Sequence, residues 1–358
     1  MITLISAISF LVVILVLVMA HEVGHFVTAK ASGVRVDEFG LGFPPRLLAI
    51  RRGETTYSLN LVPLGGFVKM AGEEDPKIQH SLASKSIGTR ILVLGAGSLM
   101  NFLLPLLLFS GALMVPHSVL TETVVVNRVA PDSPAVRAGL RAGDTILSIN
   151  RKPITNSSDL HRNIQLNLGR EIPIVVQHSD STRETVKVIP RWQPPAGQGA
   201  IGIEINPEAA QASRTITRRS EPFWKAIPLG ITACIETFIL FKNGIVGMFI
   251  GSVPMAVTGP VGIAQLTGEI ARIGISPLME FAAFLSINLA IVNIFPLPAL
   301  DGGRIAFVLL EWVRGGKRIS PKTEGLVHLI GFVMIIVFAL AITYQDIMRI
   351  VAGEALIP

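Results

Sequence analysis

The chain of 358 residues has a single cysteine, Cys234, which excludes an internal disulfide framework and a metal site built on thiolates. Charge is also scarce. Only 16% of the residues are Asp, Glu, Lys or Arg while 50% are hydrophobic, a balance that excludes an ordinary soluble enzyme and fits an integral membrane protein with one water-soluble portion. A net charge of +6 could suit a nucleic acid partner, but the basic residues scatter through loops and form no long run interleaved with aromatics. The charge therefore reads as topological. The first twenty residues contain no Lys or Arg, and cleavage after Ala20 would cut at the motif described next, so a retained span is expected rather than a signal peptide.

Against that background stands His21-Glu22-Val23-Gly24-His25. On a helix the i, i+4 spacing stacks both imidazoles on one face, where they can share a metal ion, and puts Glu22 one step round as a general base. Residues 2–20 before it are uncharged, long enough at about 1.5 Å per residue to cross most of a roughly 30 Å hydrocarbon core. The pentad thus sits at membrane depth, where ionisable residues are costly and usually functional. A catalytic Zn²⁺ site needs three protein ligands, so a third must come from elsewhere in the chain.

In order, the expected organisation is a first transmembrane helix (1–31) and a cytoplasmic loop (32–90) rich in Lys and Arg, the side marked by the positive-inside rule. A second transmembrane helix (91–116) carries Gly95, Gly97 and Asn101, with Asn101 expected to find a partner across a helix interface. Within the loop, residues 56–70 alternate and turn through Pro63 and Gly65-Gly66, which predicts a β-hairpin dipping toward the membrane. Gly40-Leu41-Gly42-Phe43 spells the carboxylate-binding loop of many PDZ domains, but no matching strand pattern follows, and a glycine-rich turn is expected.

Residues 120–205 form a soluble α+β domain, with strands at 123–129, 145–150, 172–178 and 184–189, a short helix opening at Ser133-Pro134-Ala135 and a longer one over 158–168. Through "AGLRAGDTILSIN" and its order of elements it looks like a PDZ domain of the bacterial protease-associated kind, either a spacer or a filter for peptide tails, with Gly202 to Ile205 as a candidate binding strand. Residues 206–275 read as a linker with amphipathic interfacial helices; a span over 227–253 is disfavoured by Glu236 and Lys242, and Thr258 to Ile263 marks a turn. A third transmembrane helix (276–303) carries Asn288 and Asn293 and breaks at Pro296 and Pro298 before Leu300-Asp301-Gly302-Gly303. Such broken helices are tolerated where they line a cavity or pack in protein. Asp301 supplies the missing ligand, since the basic loop at 304–325 puts it on the same side as His21 and His25. A fourth transmembrane helix (326–346) closes the chain. His328 reads as interfacial, and His80, His117, His161 and His178 as partnerless.

These motifs resemble the site-2 intramembrane metalloproteases, in the RseP-like bacterial branch with one PDZ domain. The resemblance rests on HEVGH, "PLGGFVKM", Gly97 to Asn101, the PDZ-like domain and "NIFPLPALDGG"; Ser98 stands where the family usually has Pro. It implies a polytopic α-helical membrane protein of about four transmembrane helices, with a membrane-associated β-hairpin and an inserted PDZ domain. It also implies zinc held by His21, His25 and Asp301, with Glu22 activating water to cut a peptide bond inside a substrate's transmembrane helix. The implied partners are single-span membrane proteins, anti-sigma factors among them, trimmed first by another protease. The implied place is the inner (plasma) membrane, with both termini and the PDZ domain outside and the active site near the cytoplasmic side. Pro63, Gly65, Gly66, Asn288 and Asn293 are candidates for holding an unwound substrate backbone, and Asn101, Pro296 and Pro298 for shaping the membrane core. A transporter would show inverted repeats, and none is visible. An inactive scaffold would have no use for Glu22. The donor set suits several divalent ions, and zinc is the one the resemblance names.

Overall fold

The computed structural model describes residues 4–73, 75–252 and 258–352, and the chain divides into two compact units. The first comprises residues 1–112, 223–231 and 257–358, the second residues 113–222 and 232–256.

The first unit begins with α1 (Leu4–Ala31), whose buried residues include Val13, Leu17, His21, His25 and Ala29. Their strict i, i+4 spacing makes one stripe, so the two histidines lie on the face that packs into protein while Val12 and Val16 stay exposed. Gly33, at φ +65°, ends the helix.

The next two strands, β1 (Val36–Arg52) and β2 (Thr55–Met70), correct the hairpin expectation. The chain reverses at Gly53-Glu54, and Pro63, Gly65 and Gly66 lie inside β2 rather than at a turn. β1 also takes in Gly40 to Phe43, so that stretch is strand and not a turn. The register breaks between Phe43 and Arg46, around Pro44 and Pro45, where proline cannot donate to the ladder. The first part of β1 is flanked by β2 on both sides: Leu41 aligns with Gly66 on one edge and Leu59 on the other. Leu47, Leu48, Ile50 and Leu61 are more than half exposed, an apolar surface suited to lipid.

Helix α2 (Ile87–Met114) begins at a buried ion pair, Arg90 to Glu311 at 2.6 Å, and presents Val93, Gly97 and Asn101 along one buried stripe.

The second unit holds β3 (His117–Thr121), β4 (Val126–Val129), α3 (Pro134–Arg137), β5 (Thr145–Ile149), β6 (Lys152–Pro153), α4 (Ser157–Leu166), β7 (Ile172–Gln177), β8 (Arg183–Val188), β9 (Ile203–Ile205), α5 (Pro207–Ala212) and β10 (Thr215–Arg219). A four-stranded sheet runs β6-β5-β7-β8, β4 pairs antiparallel with β9, and Val126, Ile146, Leu160, Ile174 and Ile201 are among its buried core residues. This is the α+β unit expected from the sequence as an inserted PDZ domain. The β3–β10 pair that closes its two ends, and α5, were not anticipated from sequence.

His178 is not partnerless. Its Nδ1 lies 2.7 Å from Asp144 and its Nε2 3.1 Å from Glu184, joining the start of β5 to β8. The bonds to Asp144 and then Glu184 hold the imidazole above its usual pKa. Because the folded value is raised, the stabilisation is complete below an unfolded value of about 6.5 and is lost as pH rises through the folded one. Hydrogen exchange over β8, corrected for its intrinsic rate, should therefore be slower at about pH 6 than at about pH 8.5, and His178→Gln should remove that difference. A difference unchanged in the variant would assign it to other groups.

Helix α6 (Phe223–Phe249) runs from the first unit into the second. Among the described residues it is one of five helices, with α1, α2, α8 and α10, long and apolar enough to cross a membrane. Within the second unit, Glu236 pairs with Lys152 and with Arg162 (3.1 Å), Asn243 donates to Gln165 O at 2.7 Å, and Gln193 donates to Ile250 O at 2.7 Å. Residues 253–257, part of the stretch read as linker, lie outside the described residues.

Back in the first unit, α7 (Pro260–Ile273) replaces the expected turn. Pro260 stands at the first helical position, where its missing N–H costs nothing, so only Thr258 and Gly259 of that stretch precede the helix. Asp346 accepts from Gly262 N at 2.8 Å and satisfies one of the amides of its first turn. Helix α8 (Ile275–Ile294) ends before the two prolines, α9 (Asp301–Val313) begins at the predicted ligand, and α10 (Pro321–Val351) completes the described chain. The expected loop over 304–325 is thus largely helical, because Gly302-Gly303 opens a helix instead of ending one.

Candidate metal centre

Two sequence features deliver Asp301. The chain leaves α8 at Phe295 and turns through Pro296 to Leu300, and α9 then starts hard against the end of α8. A Cβ at Gly302 would lie 2.1 Å from Phe295 O, and one at Gly303 2.3 Å from Leu297 O, so both glycines are required by backbone approach.

The carboxylate arrives between the histidines. Asp301 Oδ2 is 3.1 Å from His21 Nε2 and 3.2 Å from His25 Nε2, and the two nitrogens are 3.2 Å apart. For a tetrahedral ion with bonds of about 2.0–2.1 Å, ligand atoms stand about 3.3 Å from one another, so the triangle has the size of a zinc site's face. The tautomers agree. His25 Nδ1 donates to Val93 O at 2.8 Å, which leaves the Nε2 lone pair directed at the other two donors. His21 Nδ1 faces the Asn101 amide at 3.4 Å, and Asn101 Oδ1 has no other partner; turned toward the ring, it accepts from Nδ1–H and frees Nε2 in the same way. Two lone pairs and a carboxylate oxygen crowded together repel one another unless a cation sits among them. The donor set fits zinc.

Other predicted residues fall as follows. Glu22 lies beside the buried stripe of α1 and next to β2, where a Cβ on Gly66 would come 3.1 Å from its Cγ. Asn293 reaches the centre, with Nδ2 3.5 Å from His21 Nδ1. Asn288 does not: it donates to Phe284 O of its own helix at 2.8 Å. Gly65 is positioned by φ +97° and packs on Phe43, while the side chain of Pro63 lies outside the described residues. Pro296 and Pro298 form the turn ahead of Asp301, and Asn101 O accepts from Ser286 Oγ at 2.8 Å, which joins α2 to α8.

Two residues that touch this centre or the turn leading to it were not singled out for that role from the sequence. A Cβ on Gly97 would sit 2.3 Å from His25 Nε2, so this glycine makes room for the imidazoles. Its i, i+4 place between Val93 and Asn101 was a signal available in the sequence. The other is His328, whose Nδ1 accepts from Ala299 N at 2.9 Å; nothing in the sequence ties two residues so far apart.

The family model for peptidase family M50 matches residues 9–338. A putative zinc metalloprotease of Clostridium perfringens is 34% identical over 92% of this chain and 95% of its own. The zinc metalloprotease RasP of Geobacillus kaustophilus is 29% identical over 97% and 99%. The regulator of sigma-W protease RasP of Bacillus subtilis is 26% identical over 96% and 99%.

Proposed function

This chain belongs to peptidase family M50, and we propose that it is an intramembrane endopeptidase of the site-2 kind, cutting the transmembrane segments of single-span proteins already trimmed by another protease. It is a multi-pass membrane protein and a zinc metalloprotease. The observation that carries the reading is the triangle of His21, His25 and Asp301 donors, 3.1–3.2 Å on a side, built on apolar helices.

His21, His25 and Asp301 would hold the ion. Zinc bound there supplies a Lewis acid that makes water nucleophilic near neutral pH and polarises the scissile carbonyl. Glu22 takes the proton of the attacking water and passes it to the leaving amide nitrogen. A helical peptide bond is shielded by its own hydrogen bonds, so the substrate must be opened locally. The β2 segment at Gly65 and Gly66, beside Glu22, offers backbone groups for an extended chain, with Pro63 in the same segment, and Asn293 offers an amide. Asn288 is the weaker candidate, its amide being spent on Phe284.

The geometry also supports a topology. Asp301, past the end of α8, meets α1 near its C-terminal end, so α1 and α8 run toward the same side of the bilayer. With α2 crossing once between them, the segment from α2 to α8 must make an even number of crossings. Helix α7, about 21 Å long, is too short to cross alone. A crossing by α6 would therefore break the parity, and its polar contacts with the PDZ domain suit an interfacial helix. Four spans result: α1, α2, α8 and α10. The basic loops support a metal near the cytoplasmic face of the inner membrane, with the termini and PDZ domain outside.

In the PDZ domain, α4 and the 198–205 segment line a cavity of about 530 Å³, walled on one side by Leu240 and Asn243. We assign to this domain the exclusion of untrimmed ectodomains. The Bacillus subtilis relative is named as a regulator of sigma-W, which supports a regulatory substrate, and we propose anti-sigma factors as that substrate class for this chain.

The test is reconstitution in lipid with one single-span substrate in trimmed and untrimmed forms. Wild type should cut the trimmed form alone, and Asp301→Ala should hold no zinc and cut neither. Equal cutting of both forms would remove the trimming requirement, and zinc retained by Asp301→Ala would remove the ligand assignment.

A further inference from the structure

The turn that carries Asp301 to the histidines contains a residue in an unfavourable conformation. Ala299 has φ +75°, the left-handed region, which a Cβ disfavours and glycine would occupy freely. Such a conformation persists where its surroundings over-determine it. The surroundings here are one face of α10. The Ala299 amide donates to His328 Nδ1 at 2.9 Å, and Gly331, one helical turn on, lies so close to Pro298 that a Cβ would come 2.3 Å from the proline's own Cβ. The ring of Phe307, on α9, lies against the His328 ring with centroids 5.5 Å apart. Among the described residues, the turn's backbone-to-backbone hydrogen bonds are local: Leu297 N to Phe295 O and Leu300 N to Leu297 O.

His328 therefore grips the chain two residues before the ligand, from a helix that contributes no ligand. We infer that His328 is a positioning residue for the metal centre: its acceptor nitrogen holds the Ala299 turn in the one conformation that sets the Asp301 carboxylate against His21 and His25. Accepting at Nδ1 requires the ring proton on Nε2, so the residue acts as a neutral imidazole. The inference rests on the reading of His21, His25 and Asp301 as metal ligands.

The experiment uses the full chain in lipid nanodiscs, stripped of metal and titrated with Co²⁺, whose visible absorption reports ligand geometry. His328→Phe keeps the ring and its packing on Phe307 but loses the acceptor. His328→Asn keeps an acceptor oxygen close to the place of Nδ1. Co²⁺ affinity should fall about 10–100-fold in His328→Phe, with a weakened or shifted absorption band, and return to near the wild-type value in His328→Asn. Melting of the metal-free protein should be unchanged in both. Hydrogen exchange in the wild type gives a second measurement that needs no variant: the Ala299 amide should be protected.

Wild-type affinity and spectrum in His328→Phe would overturn the inference. So would an equal defect in His328→Asn, a lowered metal-free melting temperature in step with the affinity loss, or rapid exchange at Ala299. Asp301→Ala separates the two levels: if it binds Co²⁺ like the wild type, the ligand assignment fails; if it does not and His328→Phe does, only the role of His328 fails.

Discussion

Replacing Glu22 with Gln should lower cleavage of a transmembrane peptide bond by about 10²–10⁴-fold while zinc stays bound. Glu22 is off the stripe of α1 that carries His21 and His25, and none of the three donor atoms of the proposed site belongs to it. Glutamine fills the same space beside Gly66 but takes no proton from water. The loss should fall on kcat, because the side chain is asked to act only as the bond breaks. Metal analysis and single-turnover cleavage on the same preparation check this. Loss of zinc together with activity would make Glu22 part of the metal's coordination, and retained activity would place the base elsewhere.

The centre was legible in the sequence because its chemistry is local in two pieces. HEVGH shows its spacing within one helical turn, and Asp301 follows two prolines at a helix end. The PDZ domain was legible for a similar reason, its strands being short, alternating and bounded by turn residues. Strand β1 was not. Its residues 36–52 neither alternate nor stay apolar, they contain Pro44-Pro45, and parts of the strand pair on two edges, so no period of two survives. The starts of α7 and α9 were misread because Gly and Pro both stop and open helices; which they do here is decided by Asp346 below Gly262 and by the backbone of α8 below Gly302. His178 was read as partnerless, and the Ala299 partner of His328 was not foreseen, because such partners are set by tertiary contact: Asp144 and Glu184 for one, the Ala299 amide for the other.

Gly97→Ala should lower zinc affinity about 100-fold or more without destabilising the metal-free protein. The added methyl would sit 2.3 Å from His25 Nε2, 2.5 Å from His21 Cε1 and 2.7 Å from His21 Nε2, inside the space the ion needs. With the ion bound the rings cannot retreat, since doing so would carry both Nε2 atoms off the metal and away from the poses set by Val93 O, one turn before Gly97, and Asn101, one turn after it. In the metal-free chain the imidazoles can swing aside, and alanine in place of a helical glycine contributes up to about 1 kcal/mol in its favour. Affinity and metal-free stability should therefore move in opposite directions, which a packing defect alone would not produce. Two other glycines calibrate the result. At Gly95 a Cβ would meet only Ile305 Cδ1 at 3.8 Å, so Gly95→Ala should keep zinc; at Gly24 it would press on Ala96 O at 2.3 Å and force α1 from α2, so Gly24→Ala should lose stability and zinc together. If Gly97→Ala held zinc as tightly as Gly95→Ala, the face of α2 opposite the histidines would not be the wall that confines them, and the size of the donor triangle would need another cause.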